Sequence, residues 1–253
     1  MVKNYLQGLD PKVSTARLLG DFLEDYTIHH QLLSASYNVG GPSAGYALAI
    51  NTLSALMLIP VLNDFGITGA PWTKGVKPGE VGGSVIIGGH KKKTEKVLTY
   101  LRRMYMPLKN YMDLDQDFLM GYWSQGKDIL GVTHFGDLIP EVVWLSPSYG
   151  KRLEELIHLR IQYKLAKYKS ESPPQEIKER ILAIKEELRG QVEKQLQERL
   201  AALRYYLRSP VRDPHLSLSE IYRHKPSRVS DWTESVFRLI RSIKSRKSIP
   251  PEV

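Results

Sequence analysis

Residues 39–45 read Val39-Gly40-Gly41-Pro42-Ser43-Ala44-Gly45, and the type of secondary structure changes at this stretch. The preceding run, residues 31–39, has the pattern of a short strand, which the two glycines interrupt. The following run, residues 43–59, is rich in Ala and Leu and predicts a helix. Because proline suits the first turn of a helix, we expect Ser43 at the helix N-terminus.

Strand-like and helical patterns alternate on both sides of this junction. The spacing of apolar residues predicts helices over 13–26, 91–104 and 135–143 and strands over 65–69, 84–87 and 128–133. A loop rich in Gly and Pro, residues 70–83, separates two of these strands. Such alternation is typical of an α/β or α+β domain. Residues 44–62 are mostly apolar, but their polar side chains favour a buried helix over a membrane span.

The second part of the chain has a different pattern. A helix is predicted over 151–169, and Pro173 and Pro174 suit the start of the next one. From Ile177 to Leu207, apolar residues recur every three or four positions, which predicts one long amphipathic helix. The two helices together suggest a hairpin or a coiled coil. A loop over 209–226 and a short helix over 232–243 are expected after them.

Charge divides the chain in the same way. Residues 1–150 contain 13 Lys and Arg and 13 Asp and Glu, whereas residues 151–253 contain 23 and 14, so the net charge of +9 lies wholly in the second part. The hydrophobic fraction of 42% excludes a disordered chain. The sequence contains no cysteine, which excludes a disulfide scaffold and a thiol nucleophile.

Two short motifs could carry chemistry. Ser43 is expected where the amide N–H groups of a helix start point at developing negative charge, which suits a nucleophile. Gly88-Gly89-His90-Lys91-Lys92-Lys93 is a second glycine turn before a helix. A lysine activates a serine only in its neutral form, which burial and neighbouring ammonium groups favour. Taken singly, the two motifs are better explained as a well-capped helix start and a solvated basic helix start.

Together and in this order, the motifs resemble the proteolytic domain of the Lon family of ATP-dependent serine proteases. Residues 41–45 are similar to the family's Gly-Pro-Ser-Ala-Gly motif, and residues 88–93 to its Gly-Gly-x-Lys-x-Lys segment. The resemblance extends over about residues 9–143. It implies that Ser43 is the nucleophile and that Lys93, not Lys91, is the lysine of a Ser-Lys dyad.

The resemblance also implies roles for residues around the dyad. Thr68 matches an active-site threonine that forms hydrogen bonds. Gly41, Pro42 and Ala44 flank the nucleophile, where the oxyanion and the substrate backbone are bound. The sequence departs from the family at two points: Gly40 replaces a frequent acidic residue, and Ala70 replaces the glutamate of Thr-Gly-Glu.

The fold that the resemblance implies is α+β. A Lon-type proteolytic domain (ribosomal protein S5 domain 2-like) is expected over 1–145, without the family's N-terminal strands. A basic helical hairpin or coiled-coil extension is expected over 146–253. No Gly-x-x-x-x-Gly-Lys-[Ser/Thr] loop occurs in the sequence, so the family's ATPase module is expected to be absent. The chain is then a fragment, a stand-alone domain or a divergent form.

The function implied is a serine endopeptidase that cleaves unfolded or damaged proteins in protein quality control. We expect a homo-oligomer, no cofactor or metal in this chain, and ATP use by an absent module or a partner ATPase. The expected location is intracellular, in the mitochondrial matrix or the cytoplasm. The alternative is a weakly active or inactive Lon-like interaction protein. In that case residues 151–253 would bind an acidic partner, RNA or a membrane surface.

Overall fold

The computed structural model describes residues 2–9, 22, 42–71, 84–169, 172–208, 213 and 215–223. Strands and helices alternate as far as α6, and only helices follow. The elements are α1 Val2–Leu9, α2 Gly45–Met57, β1 Phe65–Ile67, β2 Ala70–Pro71, β3 Ser84–Val85, α3 His90–Tyr100, β4 Arg103–Pro107, α4 Leu108–Met112, α5 Gln116–Trp123, β5 Asp128–Val132, α6 Phe135–Val142, α7 Pro147–Tyr168, α8 Gln175–Arg208 and α9 Leu218–Arg223. Every helix in these ranges is too short or too polar to cross a lipid bilayer.

The centre of the fold is a parallel sheet with the strand order β1-β4-β5. The first residues of the three strands are in register, since Phe65 pairs with Arg103 and Arg103 pairs with Asp128. Strands β2 and β3 form a separate antiparallel pair. The small parallel sheet combined with many helices shows a mixed fold of helices and strands, which is compatible with the predicted α+β class.

The predicted helix over 91–104 is wrong at its C-terminal end. Helix α3 ends at Tyr100, and Arg103–Pro107 is the central strand β4. All five residues of β4 are buried. A strand that is covered on both faces shows no alternation of polar and apolar residues, so its pattern cannot be told from that of a buried helix end.

Other predicted elements agree with the structure more closely. Strands β1, β3 and β5 and helices α2, α6 and α8 were predicted with small differences in their bounds. Helix α7 starts at Pro147, earlier than predicted, because the Ser146 hydroxyl accepts a hydrogen bond from the Tyr149 N–H (3.1 Å). Helices α1, α4, α5 and α9 were not predicted. The predicted strand at 31–39 and helix at 232–243 lie outside the described residues, as does the predicted helix at 13–26 apart from Phe22.

Helix α8 contributes a long apolar stripe to the core. Its contacts are with α1, α2, α6, α7 and α9. The stripe consists of Ile184, Leu188, Val192, Leu196, Leu200 and Leu203, all buried. These side chains belong to the same buried cluster as those of α2 and the sheet. The division of the chain at residue 145 stays a prediction.

Six charged side chains form a network at the N-terminal edge of the parallel sheet. This ionic network consists of Asp64, Arg103, Asp128, Glu141, Arg160 and Lys164. Asp128 has no exposed surface, and Arg160 Nε (2.7 Å) and Lys164 Nζ (2.8 Å) donate to its carboxylate. Buried charges persist in a protein only when they are paired in this way.

Glu141 connects the two halves of the ionic network. Both of its carboxylate oxygens accept from Arg160 Nη1, at 2.8 and 2.9 Å. Its backbone carbonyl accepts from Arg103 Nη1 at 2.6 Å. The Arg103 guanidinium also pairs with Asp64. The network therefore joins β4 and β5 to α6 and α7.

The ionic network should make the fold sensitive to acid. Burial alone would raise the pKa of Asp128, but Arg160 and Lys164 outweigh burial and hold that pKa below its ordinary value. Such a carboxylate stabilises the fold above its unfolded-state pKa, about 3.9, and this contribution is lost as the pH falls through the folded-state pKa. We expect the thermal midpoint to fall steeply below about pH 4. Circular dichroism melts from pH 7 to pH 2 test this, and a constant midpoint would contradict it.

Helix α3 packs on β1 through a glycine. A Cβ on Gly66 would lie 2.4 Å from Val97 Cγ1 and 2.9 Å from Val97 Cγ2. Gly66→Ala should therefore lower the free energy of unfolding by about 1–3 kcal/mol, and adding Val97→Ala should recover part of the loss. Gly121→Ala is the matched control, because a Cβ there meets no atom within 4 Å. Urea unfolding of wild type, Gly66→Ala, Gly66→Ala with Val97→Ala, and Gly121→Ala measures the free energies of unfolding. Equal stability of Gly66→Ala and wild type would contradict the close packing of Val97 on Gly66.

Candidate functional site

Ser43 lies in a single 3₁₀ turn, Pro42–Ala44, that leads directly into the 13-residue helix α2. Two backbone hydrogen bonds tie this turn to the loop after β1. The Gly69 N–H donates to the Ser43 carbonyl (2.9 Å), and the Tyr46 N–H donates to the Gly69 carbonyl (3.1 Å). The serine is half-buried. It therefore stands at the positive end of a helix and beside the C-terminal end of β1.

Gly69 is needed for this close approach. Its φ of +134° lies in the region that side-chain-bearing residues rarely adopt. A Cβ at this position would also lie 3.0 Å from the Tyr46 ring and 3.0 Å from Pro107 Cγ. The loop can thus bond to both sides of the Ser43 turn only with glycine at position 69.

Thr68 lies next to this glycine and is buried, with 4% of its surface exposed. Its N–H donates to the Tyr105 carbonyl (3.0 Å), which extends the pairing of β1 with β4 by one residue. The structure therefore brings Ser43 and Thr68 to the same end of the parallel sheet. Pro42 and Ala44 belong to the same 3₁₀ turn, whereas Gly41 lies outside the described residues.

The three lysines at the start of α3 have different environments. Lys91 forms an ion pair with Asp115 (2.8 Å), and the hydrogen bond from Lys91 to this carboxylate raises the pKa of Lys91. Lys92 is exposed, and Lys93 is half-buried. The Lys91 ammonium is therefore engaged by a carboxylate outside the Ser43 turn.

The packing of α3 on β1 determines how far along the strand direction Lys93 lies. Val97 contacts Gly66, and Lys93 precedes Val97 by one turn, about 6 Å along the helix. Helix α3 ends close to the N-terminal edge of the sheet, because Arg103 pairs with Phe65. Because α3 runs toward that edge, its first turn, which contains Lys93, lies nearer the C-terminal edge of the sheet, where Thr68 is about 7 Å beyond Gly66. Within the described residues, no hydrogen bond or ion pair involves the Lys93 ammonium.

Asn110 fixes the turn before α3, and the sequence analysis missed it. Its side chain bonds to both backbone groups of Ile87, with the N–H donating to Oδ1 (2.9 Å) and Nδ2 donating to the carbonyl (2.8 Å). Nδ2 also lies 3.1 Å from His90 Nδ1. Asn110 is 2% exposed, so these bonds are shielded from water. A single asparagine in a short helix has no periodic signal that could have revealed this role.

The described ranges contain no group of three side chains suited to hold a metal ion. The arrangement presents the half-buried hydroxyl of Ser43 at a helix N-terminus, near the buried Thr68. A half-buried lysine lies in the first turn of α3. A hydroxyl, a base and amide donors are the groups that acyl transfer requires.

About half of the chain is similar in sequence to known proteins. No family model matches the chain. The chain is 32% identical to the Lon protease of Nitratidesulfovibrio vulgaris over 126 residues, which are 49% of this chain and 14% of that protein. It is 30% identical to the Lon protease of Chlamydia trachomatis over 118 residues and 31% identical to that of Geobacter metallireducens over 117 residues, in each case 46% of this chain and 13% of the relative. The resemblance to Lon proteases is thereby confirmed for about half of this chain, which spans at most 14% of the length of these relatives.

Proposed function

We propose that the chain contains a Lon-type serine endopeptidase site that uses a Ser43–Lys93 dyad to cleave unfolded or damaged polypeptides. One observation carries the proposal: the two backbone bonds of Gly69 hold the Ser43 turn against the end of β1, next to Thr68. Helix α3, which has Lys93 in its first turn, packs on β1 at Gly66. The similarity of half the chain to Lon proteases supports the choice of reaction.

The proposed reaction begins with attack of Ser43 Oγ on the peptide carbonyl. Neutral Lys93 accepts the hydroxyl proton, and amide N–H groups at the start of α2 stabilise the negatively charged oxygen. The protonated lysine then returns the proton to the leaving amine, and an acyl-enzyme remains on Ser43. Water, deprotonated by Lys93, hydrolyses this ester and restores the serine.

Flanking residues would assist these steps. Thr68 would hold the lysine by a hydrogen bond, and Gly41, Pro42 and Ala44 would leave room for the substrate backbone beside Ser43. Asn110 would act as a positioning residue, since it bonds to Ile87 in the segment that leads into α3.

We further propose the Lon-type fold for residues 1–145 and a helical extension for residues 146–253. The chain would act as a homo-oligomer with no cofactor of its own, while a partner ATPase would supply unfolded substrates. The interior of a cell, in the cytoplasm or the mitochondrial matrix, is the corresponding location.

The lysine assignment is tested by comparing two neighbouring substitutions. Lys93→Met should lower the rate of cleavage of an unfolded protein such as casein by about 100- to 10,000-fold, the range associated with a general base. Lys91→Met removes an equal charge two positions before Lys93, and we expect this variant to retain most of the activity. Equal losses in the two variants would reject Lys93 as the base. Cleavage that is unchanged in both variants and in Ser43→Ala would remove the dyad mechanism, whereas no cleavage by the wild-type chain would favour the inactive interaction protein.

A further inference from the structure

A cavity of about 920 Å³ lies between α4, α5, α7 and α8 and contains none of the proposed dyad residues. Its floor is buried and mostly apolar, formed by Leu114, Leu119 and Trp123. Its walls carry half-buried tyrosines, among them Tyr111 and Tyr163. A mostly preformed cavity of this size with a few polar groups is typical of a small-molecule site.

The exposed rim of this cavity is positively charged. Arg160 and Lys164 line the cavity, but both are already paired with Asp128 of the ionic network. Lys167 on α7 and Lys178 on α8 are exposed at its rim, and neither has a carboxylate within 4 Å in the described part of the chain. No acidic side chain belongs to the described lining. The two rim lysines are therefore available to an anionic group.

The floor offers one hydrogen-bond donor without an acceptor. Trp123 is 7% exposed, and its indole Nε1–H has no hydrogen-bond partner among the described residues. A buried donor that lacks a partner costs about 1–3 kcal/mol. The nitrogen itself has almost no accessible surface, so a ligand in the open cavity does not reach it.

Between the rim and the floor the cavity is aromatic. The Lys164 ammonium lies 5.3 Å from the centre of the Trp123 ring and 5.8 Å from that of Tyr111, so these two rings stand close together. Tyr163 adds a third ring to the lining. Flat aromatic bodies such as nucleobases stack on side chains of this kind.

We propose that this cavity binds a nucleoside phosphate. The phosphate lies at the rim between Lys167 and Lys178, and the base lies among the aromatic side chains of the lining. This order of groups follows the cavity from its exposed cationic rim to its aromatic interior. The proposal does not depend on the Ser43–Lys93 dyad.

Titration calorimetry of the full chain with AMP tests the proposal. We expect saturable binding of one AMP per chain, with adenosine and inorganic phosphate each bound at least 10-fold more weakly. Lys167→Gln with Lys178→Gln should weaken AMP binding at least 10-fold. The matched control is Lys151→Gln with Lys185→Gln, exposed lysines on the same two helices, and it should bind as wild type does.

Three outcomes would overturn the proposal. One is no heat of AMP binding at millimolar concentration from a protein with a cooperative thermal transition. Another is equal AMP affinity in the rim variant and its matched control. The third is tighter binding of a single-stranded RNA without a terminal phosphate, because the cavity would then belong to an RNA surface. A thermal melt of each variant confirms that it is folded, and the rim variant changes only exposed side chains.

Discussion

Ser43→Ala is expected to lower the rate of cleavage of an unfolded protein by at least about 1,000-fold, because loss of a serine nucleophile removes most of the transition-state stabilisation. The fold should survive the substitution. The Ser43 hydroxyl makes no hydrogen bond within the described residues, and the bond from Gly69 goes to the Ser43 backbone carbonyl, which alanine retains. Casein cleavage and a thermal melt of the same preparation measure the two effects.

A second serine in α2 provides the matched control. The Ser54 hydroxyl donates to the Ile59 carbonyl (2.8 Å) at the opposite end of the helix. Ser54→Ala should therefore lower the free energy of unfolding by about 1 kcal/mol and leave cleavage nearly unchanged. Loss of activity in Ser54→Ala but not in Ser43→Ala would contradict the assignment of the nucleophile.

Arg160→Ala is expected to lower the free energy of unfolding by about 3–5 kcal/mol, since it leaves buried carboxylates without their partner. Asp128 has no exposed surface and Glu141 is 5% exposed, and both accept hydrogen bonds from this guanidinium. Part of the Asp128 charge would still be balanced by Lys164. Urea unfolding measures the loss.

The control for Arg160 is an arginine that makes an exposed pair. Arg180 Nε donates to Glu155 at 2.8 Å on the outside of the helix pair, and Arg180→Ala should change stability by less than about 1 kcal/mol. Equal stability of the two variants would show that the buried network contributes no more than a surface pair. If Arg160→Ala fails to fold, Arg160→Lys, which keeps the charge but loses the forked geometry, should give a smaller and measurable loss.

The sequence predicted best those elements that are buried on one side. Helix α8 has an apolar residue every three or four positions, and this periodicity is visible without any tertiary information. Strand β4 is buried throughout, and it begins with Arg103, a residue that usually lies at the surface. The guanidinium is buried because Asp64, 39 residues away, pairs with it. Such distant partners cannot be derived from local patterns.

The same reasoning applies to the candidate site. Ser43, Thr68 and Lys93 lie in short motifs of glycine and small residues, which can be recognised in a sequence. The preference for Lys93 over Lys91 came from the resemblance and stays a prediction, while the structure shows that Lys91 pairs with Asp115. Asn110 was missed because its partner, Ile87, is 23 residues away and bonds through its backbone.

The most direct test of the Ser43–Lys93 site is covalent labelling of the serine. A peptidyl fluorophosphonate phosphonylates a serine hydroxyl that a nearby base activates and releases fluoride. Mass spectrometry after proteolytic digestion then locates the adduct. We expect one label per chain on Ser43, lost in Lys93→Met and retained in Lys91→Met. A folded chain that carries no label on Ser43, or that is labelled equally with and without Lys93, would contradict the site.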